Sequence, residues 1–449
     1  MKRYETIYHD LKQDVVTQKL KQGERLPSIS SLAKQYQCSK GTVIKALDLL
    51  STQHIVFSKP KSGYYVANGL LPMQENPKGF YLDTGNPTID AFPILDIKHC
   101  LHLAVDLYAK HSLEISLAGI PSLNALLHKH LAVEGVYARP ENIHLIQGIT
   151  PILTFLTLTP FPNRKETILI EQPSYSYYLF FLKQTDVKVK TIHRDENGIN
   201  LQQLEHHFKY DDIKFFYTIP RNHNPLGTSY TTRQRKKIME LAVKYDVYVV
   251  EDDYFGNTHK LAKYASLHFF SSGKHCIYLR SYSKEFPFIR VGFAVIPDSF
   301  QATFEEIADQ SYYYSYHMPN LISQATLESY IQSSIYKKHT LHLHQSIHKK
   351  LRLVHRLTAT WNAEFVKLIG ATSGYYFTLK INPNLPVEHL IDALEKRDVF
   401  VTSNAVAYYE NHQFDNSLRL SVARVSLPSL KEVLSIIYET ILDFMAHST

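Results

Sequence analysis

Lys284 stands in the segment SYSKEFPFIRVGF, directly after an apolar run and among few other charges. An amine withdrawn from water loses basicity and becomes nucleophilic towards an aldehyde. Ser281 and Arg290 flank it with groups able to hold a phosphate. A second segment, VYVVEDDYFG, closes an apolar run with Asp252 and Tyr254. A carboxylate there can keep a pyridine nitrogen protonated, and a phenol can bond a ring hydroxyl. In HNPLG, Asn224 precedes Pro225, which fixes a turn, and Gly227 frees the backbone. In IQGITP, Gly148 precedes Ile149 and Thr150 at an expected helix start. Backbone N–H groups at a helix N-terminus bind phosphate.

The elements that must position these groups alternate between strand and helix from about residue 80. IHLIQGI, TILIEQ, DVKVKTI, DIKFFYTIP, DVYVVEDD, CIYLRSYS and VGFAVIP are short apolar runs. Helical stretches such as TTRQRKKIMELAVKY lie between several of them. Such alternation predicts an α/β body with a largely parallel sheet. Ligand chemistry in that architecture gathers at strand ends.

A different pattern precedes the body. Ile7, Leu11, Val15, Val16 and Leu20 form a helical stripe that Gly23 stops. Ser28 and Ser39 are placed to cap two short helices joined by about four residues, a helix-turn-helix. The second helix buries Val43, Ala46, Leu47 and Leu50, and turns Ser39, Lys40, Thr42 and Lys45 outward at its N-terminal end. That end of a helix-turn-helix meets base edges in the major groove. HIVFSKPKSGYYVA then reads as a hairpin tipped by Lys59 and Lys61, suited to lie on phosphates.

Composition agrees with this division. The chain has 449 residues, too many for one core, and 44% of them are hydrophobic, which excludes wholesale disorder. Its net charge is +7, yet residues 1–68 alone hold eleven Lys and Arg against five Asp and Glu. A basic module for a polyanion joined to a nearly neutral body is the expected arrangement. Three separated cysteines (Cys38, Cys100 and Cys276) give no disulfide framework and no metal-site spacing, as in a reducing cytoplasm. No secretory signal or membrane-spanning run is visible. The expected domains are 1–68, a Pro- and Gly-containing linker at 69–79, and a body at 80–449 with a small C-terminal α+β subdomain from about 315.

Residues 1–68 resemble the GntR-type winged helix. The likeness rests on Gly23, Leu26, Pro27, Ser28, Leu32, Ala33, Ser39, Thr42, Val43, Ala46, Leu50, Lys61, Ser62, Gly63, Tyr65 and Val66, in order. Ser30 stands where the family usually has an arginine that contacts DNA; Arg25, Lys40 and Lys45 could supply charge but not its forked geometry.

Residues 80–445 resemble the fold-type-I aminotransferases, which bind pyridoxal phosphate. The likeness lies in the order GIT, PSYS, NPLG, EDDY and SYSK with a following arginine. It implies that Lys284 forms a Schiff base with the cofactor and Asp252 pairs with its pyridinium nitrogen. It implies that Asn224 and Tyr254 bond the ring hydroxyl and Tyr175 stacks on the ring. Ile149, Thr150, Ser281 and Arg290 would hold the phosphate, and Arg419 would clamp an α-carboxylate. Three departures are visible: Lys284 and Arg290 are six apart, one fewer than in many relatives; EISLAG lacks a tyrosine before Gly119; and Leu123-Asn124 stands where relatives often have Leu-Arg.

The two parts together resemble the MocR-type regulators. That likeness implies a homodimer, head-to-tail with swapped winged helices, which binds double-stranded operator DNA. It also implies an amino-acid, amine or pyridoxal phosphate effector that alters operator binding. A working aminotransferase carrying a DNA-binding domain, and a repressor whose body serves only dimerisation, are the alternatives.

Overall fold

The computed structural model describes residues 3–17, 19–60, 62–67, 78–88, 92–111, 119–256, 265–311, 317–410 and 414–447. The chain divides into two units, Met1–Lys78 and Gly79–Thr449.

The first unit is built on three helices, α1 (Arg3–Val16), α2 (Ile29–Gln35) and α3 (Lys40–Thr52). The Ser28 hydroxyl accepts from the Ser31 N–H at 3.1 Å, and that of Ser39 from the Thr42 N–H at 3.2 Å. Each such cap stabilises a helix start by about 1 kcal/mol. Val43, Ala46, Leu47 and Leu50 of α3 are buried with Ile7, Leu11 and Leu32 in one cluster. Strands β1 (Val56–Lys59) and β2 (Gly63–Val66) form the antiparallel hairpin, with Lys59 opposite Gly63.

The first helix ends at Val16, before the Leu20 and Gly23 that periodicity suggests. Gly23 to Leu26 instead run beside β2. Gly23 N–H donates to the Val66 carbonyl (3.0 Å), Val66 N–H to Glu24 (2.9 Å) and Leu26 N–H to Tyr64 (2.8 Å). A helix continued to Gly23 would forfeit these long-range bonds, so tertiary pairing overrides the local period.

Among the described residues the second unit holds three sheets, one of eight strands, one of four and one of two. In chain order its strands are β3 (Phe80–Tyr81), β4 (Ile143–Ile146), β5 (Thr167–Gln172), β6 (Val189–Asp195), β7 (Gly198–Ile199), β8 (Ile213–Thr218), β9 (Tyr248–Asp252), β10 (Cys276–Ser281) and β11 (Gly292–Val295). They continue with β12 (Val366–Gly370), β13 (Tyr376–Ile381), β14 (Val399–Phe400), β15 (Thr402–Ser403) and β16 (Ser417–Ser421). The large sheet runs β4-β11-β10-β9-β8-β5-β6-β7. Pairing is parallel from β6 through β10 and antiparallel at β11. Every residue of β5, β8, β9 and β10 is buried, as expected when both faces of a parallel sheet are covered.

The helix Thr232–Lys244 starts with a capping box between Thr231 and Gln234. It buries Ile238, Met239, Leu241 and Ala242 at helical spacing. The small sheet, β12-β13-β16-β15, is antiparallel. β3 pairs with β14, so residues 80–81, the first strand of the body, join its C-terminal portion.

Candidate functional site

Strands β4, β9 and β10 point the same way, so their carboxyl ends share one sheet edge. β9 ends on Asp252 and β10 on Ser281, and β4 leads into Gly148. Asp252 is 3% exposed. Its Oδ2 accepts from the Tyr217 hydroxyl at 2.7 Å. Its Oδ1 is buried with no hydrogen-bond partner among the described residues. Burial pushes this carboxyl up to about 7; the Tyr217 hydroxyl opposes that rise and the neighbouring Asp253 adds to it. A buried acceptor left unmade is costly, and a cationic N–H would satisfy it.

Lys284 is half-buried three residues past β10. Its Nζ donates to Asn86 Oδ1 at 2.5 Å. Burial lowers the amine to about 8, with the Arg419 guanidinium and, more weakly, Arg424 assisting against Asp252. Capture of an aldehyde by the free amine is therefore expected to accelerate as pH rises through about 8, since only the neutral amine attacks. Stopped-flow uptake of pyridoxal phosphate by the cofactor-free protein checks this.

At the other side of the edge, Gly148 has φ +91 and precedes the helix Ile149–Leu158. A Cβ on Gly148 would stand 3.8 Å from the Arg290 guanidinium. The six-residue spacing therefore still brings Arg290 beside the helix N-terminus. Thr150 Oγ1 and the Tyr175 hydroxyl lie 3.2 Å apart. Burial pushes the Tyr175 phenol up to about 12, so it keeps its proton. The buried Ser281 hydroxyl donates to Ser283 Oγ (3.0 Å) and accepts from the Ser283 N–H (3.2 Å). Asn224 is buried and its bond to Pro225 is cis. The Tyr254 hydroxyl donates to the Asn222 carbonyl at 2.7 Å; a phenol oxygen engaged this way can still accept.

Arg419, on β16, donates from Nη2 to the Asp83 carbonyl and, at 3.4 Å, to Thr402 Oγ1. Its Nε is buried without a partner among the described residues. Three residues absent from the sequence reading enter here: Asn86, Tyr217 and Arg424. Asn86 follows Gly85, where a Cβ would fall 2.0 Å from the Tyr376 hydroxyl, so only glycine allows this approach. Nothing in the motif TGNP signals that role.

The HNPLG turn is held from beneath. Glu171 accepts from Arg194 Nη1 (2.9 Å), Thr218 Oγ1 (2.6 Å), the Ile219 N–H (3.1 Å) and the Tyr230 hydroxyl. His223 Nε2 lies 3.4 Å away. Burial opposes ionisation of Glu171, yet Arg194 and His223 outweigh it and hold the carboxyl at about 2. Arg194→Met is expected to destabilise the body by about 3–5 kcal/mol, because Glu171 would remain as a buried unpaired charge. Denaturant unfolding measures this.

In the first unit, Ser39, Lys40, Lys45, Arg25 and Lys59 are exposed and Thr42 is half-buried. Thr42 Oγ1 lies 2.9 Å from Ser39 Oγ. Lys45 Nζ lies 4.4 Å from the Tyr4 ring and Lys59 Nζ 4.5 Å from the Tyr65 ring. These lysines rest on aromatic faces and present a fixed charge. Arg25 lies alongside the hairpin at Gly63. Lys61 lies outside the described residues, as do residues 114–118 before Gly119 and most of the expected linker. No cluster able to hold a metal ion occurs among the described residues, and no helix there is long and apolar enough to cross a membrane.

Residues 3–66 match the model of bacterial regulatory proteins of the gntR family, and residues 82–437 that of aminotransferase class I and II. The chain is 34% identical over 444 residues to YcxD of Bacillus subtilis, an uncharacterized HTH-type transcriptional regulator, covering 96% of this chain and 98% of that one. It is 21% identical over 449 residues to the HTH-type transcriptional regulator NorG of Staphylococcus aureus, covering 92% and 98%. Among solved structures, a multiple substrate aminotransferase from Thermococcus profundus superimposes with TM-score 0.71 at 21% identity, covering 83% of this chain and 93% of that one. LysN, an α-aminoadipate aminotransferase from Thermus thermophilus complexed with N-(5'-phosphopyridoxyl)-L-leucine, superimposes with TM-score 0.70 at 21% identity, covering 82% and 93%.

Proposed function

Since the chain belongs to the MocR-type GntR transcriptional regulators, which join a winged helix to an aminotransferase class I and II body, we propose that its body holds pyridoxal phosphate and an amine effector that together set operator affinity. The unpartnered, buried Oδ1 of Asp252, on the same edge as the half-buried Lys284 amine, carries this reading. Few ligands satisfy both; a pyridinium ring bearing an aldehyde does. The residues present fit that cofactor in charge and placement.

When bound, pyridoxal phosphate supplies an aldehyde that condenses with primary amines and a ring that withdraws electrons. This chain's residues do the rest. Asp252 holds a proton at the ring nitrogen, and Tyr217 fixes the carboxylate's orientation. Asn224 and Tyr254 bond the ring hydroxyl, and Tyr175 covers the ring. The N–H groups of Ile149 and Thr150, with Ser281 and Arg290, hold the phosphate at the helix N-terminus. Lys284 would hold the aldehyde, the group through which the cofactor would also meet an effector's amine. Arg419 offers a fork to the effector's carboxylate.

We place this machinery in a homodimer, head-to-tail with swapped winged helices. The helix Ile94–Tyr108 exposes Ile94 (38%), Leu95 (80%) and Val105 (50%) on one side, apolar surface that supports a partner. A coupling of about 1–3 kcal/mol between effector and DNA would change operator affinity about 5- to 150-fold.

The test is absorbance of the purified protein titrated with candidate amines while operator binding is followed by fluorescence anisotropy. Spectral change with altered operator affinity supports the proposal; a colourless protein that takes up no pyridoxal phosphate sinks it. The complete set of Lys284, Asp252 and Arg419 also favours a second reading, a working aminotransferase. Multiple turnovers with amino and keto acids at about 1–10³ per second would establish it. For DNA, Lys40→Ala and Lys45→Ala are each expected to weaken operator binding and to flatten its salt dependence. Anisotropy across a salt series measures both.

A further inference from the structure

Asn86 is shared by two cations. Its side-chain carbonyl accepts from Lys284 Nζ at 2.5 Å, and its backbone carbonyl accepts from Arg424 Nε at 2.9 Å. Its own N–H is fixed by Thr84 Oγ1 at 3.2 Å. Arg424 therefore stands one residue's width from the reactive amine, close enough to help lower that amine's basicity. With Nε engaged, both of its Nη groups are left to donate.

The charges around the amine do not balance. Lys284, Arg419 and Arg424 converge on it, and among the described residues neither arginine forms an ion pair. Asp252 is the carboxylate that acts on the amine, and its unpartnered oxygen is committed to the ring nitrogen under the proposed function; Asp83 lends Arg419 its backbone carbonyl, and its carboxylate forms no ion pair with either arginine. Arg290 stands apart, beside Gly148, for the phosphate. One α-carboxylate would neutralise Arg419 and leave Arg424 unmatched. A plain amine would leave both unmatched.

We infer that Arg424 selects an effector with a second acidic group, an amino acid carrying a carboxylate at the end of its side chain. This rests on the proposed exchange of amines at Lys284. The preference is expected to be about tenfold or more, the scale of one charge-assisted hydrogen-bonded pair. Because Arg424 is exposed, it should shrink as salt is added.

The experiment uses the full chain loaded with pyridoxal phosphate, titrated by absorbance with L-aspartate, L-glutamate, L-alanine, L-leucine and butylamine. Aspartate or glutamate binding about tenfold or more tighter than alanine and leucine is the expected result. The ratio of glutamate to alanine affinity should fall towards one in Arg424→Gln and recover in part in Arg424→Lys. Alanine or leucine matching the acidic amino acids overturns the inference, as does a ratio unchanged in Arg424→Gln; both leave the proposed function standing. No response to any amine removes both.

Discussion

Lys284→Ala is expected to give a protein that stays colourless with pyridoxal phosphate, binds its operator at the basal affinity and no longer responds to the effector. The winged helix lies in a separate unit with its own core, so basal DNA binding has no need of the lysine. The effector-dependent change proposed above, expected at about 5- to 150-fold in the wild type, should vanish. Absorbance after gel filtration and anisotropy with and without effector read the two results. Regulation unchanged in this variant, with no effector-dependent step to lose, would favour a body used only for dimerisation.

The same substitution carries a stability signature. Lys284 has a folded-state value of about 8 against an ordinary 10.5. A lysine lowered on folding costs stability wherever the unfolded chain is protonated and the folded site resists it. That cost is full below pH 8 and is relieved as pH rises from about 8 to about 10.5. Cofactor-free Lys284→Ala should therefore melt above the cofactor-free wild type near pH 7, with the gap closing towards pH 10. A gap that widens with pH would contradict the desolvated environment.

Asp252→Asn is expected to act in two opposite directions. Cofactor retention should fall, because an amide cannot replace a carboxylate opposite a pyridinium. Losing one partner of a buried charge pair costs about 2–5 kcal/mol, or about 30- to several thousand-fold in Kd. Yet the cofactor-free variant should be more stable than the cofactor-free wild type at pH 8. The folded carboxyl titrates near 7 and the ordinary value is 3.8. A raised carboxyl costs nothing below pH 3.8, costs progressively more up to about 7, and stays costly above. Equilibrium dialysis and thermal unfolding at pH 4 and pH 8 separate the two effects. A merely structural aspartate would lose stability on substitution at both pH values.

Much of the architecture is legible in the amino-acid sequence. The seven apolar runs named from the sequence all became strands of the large sheet; six are buried throughout and need only local composition to be recognised, while β6 alternates buried and exposed positions. Ser28 and Ser39 cap the helices they were expected to cap, since capping is decided within three residues. Where long-range pairing competes, local reasoning failed: α1 stops at Val16 because Gly23 to Leu26 pair with the wing.

Residue type and chain order determined the site's chemistry: a lysine after a strand, a carboxylate ending the next strand inward, a glycine before a helix, an arginine following. Those features are local, and the order of the motifs repeats a family pattern. Tertiary structure decided what each group faces. Asn86 and Lys284 are 198 residues apart, and Asp83 and Arg419 are 336 apart. No period or spacing encodes such a meeting, because it depends on β3 joining the C-terminal portion while β10 ends at the sheet edge. The same long-range folding leaves Asp252 Oδ1 without a partner and sets Arg424 beside the amine. The sequence therefore carried the kind of chemistry. The fold decided which groups face one another, since buried charge takes its meaning from neighbours that only packing brings near.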